Sequence, residues 1–205
     1  MKKYIKRLFV LSVLASAFTA CDTEEEFDIP SVRVPYFKED FQAAVDGTVF
    51  DLAGWTNFSE AGTKKWGEEA FSGNGYAEFS AFNSGSVSNK AWLISPAINV
   101  DQYDNDRMTF RVAQHHLDVD SPNNSLQVLI STDFNGTDVL AATWTPVNAN
   151  IPKKAVAWYE FLTSSVDLSG YSGNIYVAFK FTGSGTDLTL DGAFQVDDLL
   201  IYNEK

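Results

Sequence analysis

Short runs in which apolar and polar residues alternate recur from residue 33 to the end of the chain. Examples are the runs 75–82, 89–100, 108–116 and 175–181, with turn residues between them. Because successive side chains of a strand point to opposite faces, a period of two residues predicts strands, and no run after residue 20 keeps the spacing of an amphipathic helix. About ten such strands predict an all-β, antiparallel two-sheet sandwich, with residues 33–205 as a single domain.

The run Asn89–Val100 is the most informative of these strands. One of its two faces is apolar throughout, being formed by Trp92, Ile94, Pro96, Ile98 and Val100. An apolar face of this length predicts an inner strand of the sandwich. Proline has no N–H to give to a ladder, so we expect regular pairing to stop or bend at Pro96.

The segment W-L-I-S-P-A-I-N-V at 92–100 resembles the signature segment of the choice-of-anchor J domains, relatives of the cleaved-adhesin and MAM-type jelly rolls of surface proteins. The S-T-D sequence at 131–133 and the V-D-D ending at 196–198 are similar to further motifs of that family, and the resemblance extends over residues 36–202. It implies a jelly-roll sandwich of the galactose-binding or MAM-like type and a cell-surface setting.

The N-terminus predicts export and lipid anchoring. Four basic residues precede a short apolar run, and residues 1–20 therefore read as a signal peptide. Cys21, the one cysteine of the chain, follows Thr19-Ala20, where lipoprotein processing acylates the new N-terminus. The acidic stretch that follows, within residues 21–32, predicts a solvated tether. Such a run after a lipidated cysteine also resembles a surface-export signal, which implies the outer membrane of a Gram-negative bacterium with the protein facing the exterior.

Charge and motifs exclude several function classes. The net charge of −12 makes nucleic acid an unsuitable partner. The chain has no H-E-x-x-H, no G-x-S-x-G and no phosphate-cradling glycine loop. His115 and His116 are adjacent in a predicted strand, so we expect their rings on opposite faces, unable to share one metal ion without a bulge. We therefore predict a protein without catalytic activity, while a pair of facing carboxylates stays open.

Five tryptophans raise the alternative of sugar-stacking platforms. Trp92 lies in the predicted inner strand and is the poorest candidate. The others, Trp55, Trp66, Trp144 and Trp158, are in segments whose partners the sequence does not place. Large aromatic residues of a sandwich belong more often to the core than to a ligand platform, so no ligand-binding residue is assigned.

A structural calcium ion is implied by the resemblance and supported by alternation. In jelly rolls of the resembled class the first and last strands run side by side, often with calcium between them, and the matching residues here are Glu39 and Asp197, with Asp40 and Asp198 as alternates. Glu39 lies between two phenylalanines, and strict alternation places Asp197 with Leu199 and Ile201. Buried carboxylates require a cation or neutralisation. The alternative is that these acids pair with Lys38, Arg107 or Arg111, or face water.

These features together predict a lipid-anchored binding module of the cell surface, adhesin-like or glycan-capturing. Its expected partners are outer-membrane lipid through Cys21, and a glycan or a surface protein. Two other functions remain open: a structural or assembly subunit of a surface complex, and a glycoside-active enzyme. An exposed aromatic groove would favour glycan capture, a broad apolar patch would favour assembly, and a cleft with two facing acids would favour an enzyme.

Overall fold

The computed structural model describes residues 33–204, which contain thirteen strands and no helix, hence no helix long and apolar enough to cross a membrane. The predicted signal peptide, Cys21 and the acidic tether lie outside the described residues. In chain order the strands are β1 (Pro35–Glu39), β2 (Thr48–Val49), β3 (Thr56–Ala61), β4 (Gly67–Phe71), β5 (Asn74–Phe79), β6 (Asn89–Ile94), β7 (Ile98–Asn99), β8 (Asp106–His115), β9 (Ser125–Ser131), β10 (Thr145–Pro146), β11 (Leu162–Asp167), β12 (Asn174–Gly183) and β13 (Ala193–Asn203).

The strands form two antiparallel sheets. One has seven strands in the order β11-β8-β13-β5-β4-β2, with β1 also paired to β13, and the other has six in the order β10-β9-β12-β6-β3, with β7 also paired to β12. Apart from the successive pairs β4-β5 and β9-β10, neighbouring strands are not consecutive in the chain, as in a jelly roll. The predicted all-β two-sheet sandwich is confirmed.

The core lies between the two sheets and is rich in phenylalanine. Phe110 of β8 meets Phe179 of β12 with ring centroids 5.2 Å apart, and Phe79 of β5 meets Phe181 of β12 at 4.4 Å. All four are essentially inaccessible to solvent. Burying one such ring contributes about 1.5–3 kcal/mol relative to leaving it in water, so these layers hold the sheets face to face.

The run Asn89–Val100 behaves as predicted in one respect and differs in another. Strand β6 ends at Ile94 and pairing resumes only at Ile98, so the interruption at Pro96 is confirmed. The apolar face predicted from Trp92 to Val100 is divided, because Ile98 and Val100 lie in the core between the sheets with Leu93, while Trp92 and Ile94 belong to a second apolar cluster. That cluster includes residues of the segment after β9. Both faces of β6 are buried, and alternation alone cannot show which one meets the other sheet.

Candidate functional site

Trp158 stands apart from the other tryptophans. Trp66 and Trp92 are buried, Trp55 and Trp144 are partly buried against the two apolar clusters, and Trp158 is 54% exposed. Tyr159 beside it is 52% exposed. Most of the large aromatic residues of the chain are buried, so two adjacent exposed rings on one loop indicate a candidate site.

Trp158 and Tyr159 pack on the two histidines at the end of β8. The Trp158 ring lies 4.4 Å from that of His116, and the Tyr159 ring stacks on His115 at 5.0 Å with 8° between the planes. The Nδ1 atoms of the histidines are 2.7 Å apart. The prediction that these rings point to opposite faces is wrong, because β8 ends at His115 and His116 adopts a left-handed backbone with φ of 54°.

One buried side chain positions both halves of this aromatic cluster. Gln114 is fully buried, and its Nε2 donates to the carbonyl of Val156 at 2.8 Å while its Oε1 accepts from Leu117 N at 3.2 Å. Its own carbonyl accepts from Tyr159 N at 3.0 Å. Buried polar groups require hydrogen-bond partners. The hydrogen bonds of Gln114 therefore hold the loop that carries Trp158 next to the turn that carries His116.

The cluster borders a cavity of about 280 Å³, here called the aromatic pocket, lined by Ser80, Phe82, His115, His116, Asp118, Leu188 and Asp191. Phe82 and Leu188 are 52% and 68% exposed and give it an apolar rim. The remaining lining groups are hydroxyl, imidazole and carboxyl. A concave site with apolar surfaces and a few polar groups is the usual form of a small-ligand site.

Two carboxyl groups give the aromatic pocket an acidic wall. Asp191 is 7% exposed, and burial together with the nearby charge of Asp118 raises the pKa of its carboxyl. The backbone beside it is fixed by Asn124, whose side chain accepts from Gly192 N and donates to Gly192 O, each at 3.0 Å. The wall is therefore preorganised to receive hydrogen-bond donors or positive charge.

Glu78 extends the polar surface across the outer face of the seven-stranded sheet. Its Oε2 accepts from Gln195 Nε2 at 2.9 Å and lies 3.3 Å from His115 Nε2. Burial raises the pKa of Glu78, but the contacts with His115 and Gln195 outweigh it and leave the pKa below its ordinary value. Burial, followed by the charges of Glu78 and Glu69, raises the pKa of neighbouring Tyr76 to about 12.

A second cavity of about 390 Å³, here called the lysine pocket, is lined by Gly47, Thr48, Val49, Thr63, Lys64, Lys65, Trp66, Gly67, Glu69, Glu78 and Ser80. Asn57 fixes the loop that carries its lysines, because its Oδ1 accepts from Trp66 N at 3.1 Å and its Nδ2 donates to Trp66 O at 2.9 Å. Neither Lys64 nor Lys65 forms an ion pair within residues 33–204.

The residues predicted to hold calcium lie along the first and last strands. Strand β1 runs antiparallel to β13, with Glu39 opposite Leu199, so the predicted neighbourhood of the two strands is confirmed. Glu39 Oε1 accepts from Phe41 N at 3.0 Å. Asp197 is fully buried and accepts from Asp198 N at 2.7 Å and from Asn74 Nδ2 at 2.9 Å.

The predicted orientation of Asp197 is wrong. The register of β13 against β8 shifts between Asp197 and Leu200, and Asp198 has a φ of 48°, so this bulge ends the alternation on which the prediction rested. Val196 lies in the core and Asp197 contacts Asn74 instead. Burial raises the pKa of Asp197, and the hydrogen bond from Asn74 offsets only part of that effect.

The alternative partners of these acids are present. Asp40 pairs with Lys38 at 2.8 Å, and Arg111 lies 3.4 Å from Asp198 and 3.8 Å from Asp197. Within residues 33–204 no group of three or more His, Cys, Asp or Glu side chains is placed to hold a metal ion. Calcium prefers six to eight oxygen ligands, so carbonyl, amide and water oxygens would have to complete a shell around Glu39 and Asp197.

Comparison with known proteins identifies the architecture. No protein-family model matches the chain, and no curated protein matches it in sequence. The K2 cleaved adhesin domain of Lys-gingipain matches with a TM-score of 0.55 at 19% identity, over 82% of this chain and 98% of the domain. The K1 domain of Lys-gingipain from Porphyromonas gingivalis W83 gives 0.52 at 21%, over 82% and 98%. This chain has the fold of the cleaved adhesin domains.

A third structure, the CBM22-1 xylan-binding domain from Paenibacillus barcinonensis, is more distant, with a TM-score of 0.44 at 13% identity over 84% of this chain and 96% of that one. The predicted relationship to cleaved-adhesin jelly rolls is therefore confirmed for the fold. The narrower resemblance to choice-of-anchor J domains stays a prediction.

Sequence reasoning assigned no ligand-binding residue, and the structure shows why Trp158 escaped it. The sequence left Trp158 open beside three other tryptophans, and only its exposed fraction separates it from them. Phe82 and Leu188 come from different parts of the chain and are joined by the fold of this cleaved-adhesin-like sandwich. The available sequence signal was the pair of adjacent aromatics at 158–159 outside any alternating run.

Proposed function

We propose that this protein is a non-catalytic binding module of the cell surface that captures glycans at the aromatic pocket. The proposal rests on the half-exposed ring of Trp158, which packs on His116, one of the residues that line the 280 Å³ cavity. The flat apolar face of an indole packs against the C–H face of a sugar ring. Polar groups beside it then exchange hydrogen bonds with the sugar hydroxyls.

The polar groups of the pocket suit a polyhydroxylated ligand. The carboxyl groups of Asp118 and Asp191 accept hydrogen bonds, while Ser80 and the imidazoles of His115 and His116 can donate or accept them. A ligand that carries both donors and acceptors on a rigid ring can satisfy such a mixed wall. An apolar partner would leave these groups unpaired, at a cost of about 1–3 kcal/mol for each buried one.

The test is a glycan-array screen of the purified full-length protein in detergent, followed by calorimetric titration of the best ligand. We expect Trp158→Ala to weaken binding by about 2 kcal/mol or more, roughly thirtyfold, because tryptophan is enriched among binding hot spots. Phe71→Ala is the matched control, since Phe71 is an exposed aromatic residue, at 71%, that lies on β4 and not beside His116. Equal affinities of wild type and Trp158→Ala would refute the assignment.

Because two carboxyl groups line the same pocket, the screen also measures sugar release from each bound glycan. A pair of acids beside a bound sugar is the arrangement that a glycosidase uses. We expect the bound oligosaccharides to stay intact over hours of incubation. Hydrolysis that Asp191→Asn abolishes would move the protein to the enzyme alternative.

The proposed location follows from the N-terminal sequence. A signal peptide at 1–20, acylation of Cys21 and the acidic tether through residue 32 would hold the domain at the outer membrane, facing the exterior. In that setting the sandwich meets extracellular glycans first. A surface protein as partner, with the domain as an assembly subunit, is the alternative that a pull-down from native membranes distinguishes.

Calcium bound between the first and last strands, at Glu39 and Asp197 with Asp40 or Asp198 as alternates, is proposed as a structural ion. Its support is the buried carboxylate of Asp197, whose raised pKa records the cost of burying its charge. A divalent cation would compensate that charge more fully than the guanidinium of Arg111, which is 3.8 Å away.

A further inference from the structure

The geometry points to the aromatic pocket and the lysine pocket as two ends of one groove, whose ligand is a linear oligosaccharide of at least two rings, uncharged or amino-bearing rather than uronic. This inference rests on the proposed function and specifies the ligand class of the same site. Four features carry it: the shared wall of the two cavities, the contacts that join their linings, the distance spanned across the sheet, and the charges along the groove.

The two pockets adjoin each other. Ser80 lines both of them. Lys64, from the lysine pocket, donates through Nζ to the carbonyl of Phe82 in the aromatic pocket at 3.4 Å. Glu78, also from the lysine pocket, lies 3.3 Å from His115 of the aromatic pocket. A shared wall residue and two direct contacts therefore place the two cavities side by side, as the two ends of one groove require.

The groove is longer than a single sugar ring. Its lining includes His115 of β8, Glu78 of β5 and Glu69 of β4, and β8, β13, β5 and β4 are successive neighbours in the seven-stranded sheet. With neighbouring strands about 4.8 Å apart, three intervals span roughly 14 Å. The cavities of about 280 and 390 Å³ each offer space for a ligand. A monosaccharide seated on Trp158 would leave the lysine pocket empty, whereas a linear chain would occupy both.

The charged side chains of the groove favour some classes of linear oligosaccharide over others. The groove is lined by the carboxyl groups of Asp118, Asp191, Glu69 and Glu78 against the ammonium groups of Lys64 and Lys65.

Each end of the groove has one carboxyl group whose negative charge is disfavoured by burial and by neighbouring carboxylates. Burial and Asp118 raise the pKa of Asp191, and burial, Glu78 and Asp46 raise that of Glu69. A uronic acid would add negative charge to this surface. An ammonium group of an amino sugar would pair with it, and an uncharged sugar would only exchange hydrogen bonds.

The test measures affinity against chain length by calorimetry on the full-length protein. The probes are N-acetylglucosamine oligomers of one to six rings, their de-N-acetylated counterparts, and galacturonic acid oligomers. We expect affinity for the first two series to rise at least tenfold between one ring and three, and the uronic series to bind at least tenfold more weakly. Length-independent affinity, or preferred binding of the uronic series, would overturn the inference.

Variants at the far end of the groove separate this inference from the proposed function. Lys65→Ala and Glu69→Gln should weaken the longest oligomers about tenfold and leave the single sugar unchanged, while Trp158→Ala weakens every length. Lys38→Ala is the control, because Lys38 is exposed and lines neither pocket. If only Trp158→Ala has an effect, the groove is refuted and glycan binding stands. If no series binds the wild type, the ligand class is refuted, and the array alone then decides the proposed function.

Discussion

Glu60 is the residue whose removal most directly tests the electrostatics of this fold. Its carboxylate accepts from Trp92 Nε1 at 2.9 Å and lies 3.0 Å from Lys180 Nζ and 3.3 Å from Lys90 Nζ. The side chains of Glu60 and Lys180 are 21% and 19% exposed, so solvent screens this pair only in part. Lys180 also lies over the Trp92 ring at 4.3 Å. The perturbation is Glu60→Gln, which keeps the shape and an acceptor for Trp92.

The cost of Glu60→Gln comes from the lost charge. A hydrogen bond to a charged group contributes about 1.5–3 kcal/mol against 0.5–1.5 for a neutral one, and the more exposed pair with Lys90 adds at most a few tenths. We therefore expect the free energy of unfolding to fall by about 1–2 kcal/mol at pH 7. For a domain of this size that lowers Tm by about 3–6 °C.

The pH dependence has a definite sign. Burial raises the pKa of Glu60, but the contacts with Lys180, Trp92 and Lys90 outweigh it, so the folded-state pKa lies below its ordinary value. A carboxyl with a lowered pKa contributes stability that is complete above its unfolded-state pKa and is lost as pH falls through its folded-state pKa. The gap between wild type and Glu60→Gln should therefore be largest at pH 7 and should close in acid.

The assay is calorimetric melting at pH 7, 5 and 3. Glu160→Gln is the matched control, because Glu160 is exposed and forms no ion pair within residues 33–204. Glycan affinity should be unchanged in Glu60→Gln, since Glu60 lines neither pocket. Equal stabilities at pH 7, or a gap at pH 3 as large as that at pH 7, would contradict this account of the Glu60 cluster.

Three further changes test other parts of the molecule. Gln114→Leu should weaken glycan binding at least tenfold while calorimetry still shows a cooperative melt, because it releases the loop of Trp158; unchanged affinity would contradict its positioning role. Calcium added to chelator-treated protein should raise Tm, by an amount equivalent to about 2.7 kcal/mol at 100 times the dissociation constant, and Asp197→Asn should abolish the rise; a flat response in the wild type would remove the site. Cys21→Ala should release the protein from the detergent phase, and a wild type that is already found in the aqueous phase would refute the anchor.

The fold could be predicted because it depends on the alternation of apolar and polar residues within each strand and on the residues that end strands. Alternation in β8 and β12 identified strands, and Pro96 marked the end of β6, since both effects act within a few residues. The face of β6 that meets the other sheet could not be predicted. Leu93 and Trp92 are both apolar, and their assignment depends on which residues cover each face of the finished sheet.

The site could not be predicted because distant segments build it. Phe82, His116 and Leu188 meet only after β5, β8 and the loop before β13 are in place. The contact that fixes Trp158 joins Gln114 to Val156, 42 residues later in the chain. A single sequence carries no period or motif for such a contact, so the residue types were visible while their assembly was not.

The backbone itself marks the places where sequence reasoning failed. Non-glycine residues with positive φ are found, within residues 33–204, at Phe41, Ser72, Asn83, His116, Tyr159 and Asp198. Ser72 and Asn83 lie in turns, whereas His116 and Tyr159 belong to the aromatic cluster. Phe41 follows Asp40, and Asp198 is itself one of the alternates predicted to bind calcium.

A left-handed conformation costs a bulky residue about 1–3 kcal/mol, and such strain concentrates at functional sites. A glycine at 159 would adopt the same φ without that cost, but it would remove the ring that stacks on His115. The same conformations break the period-two alternation, which is why the predictions for the two histidines and for Asp197 were wrong at the positions where the fold departs from regular strands.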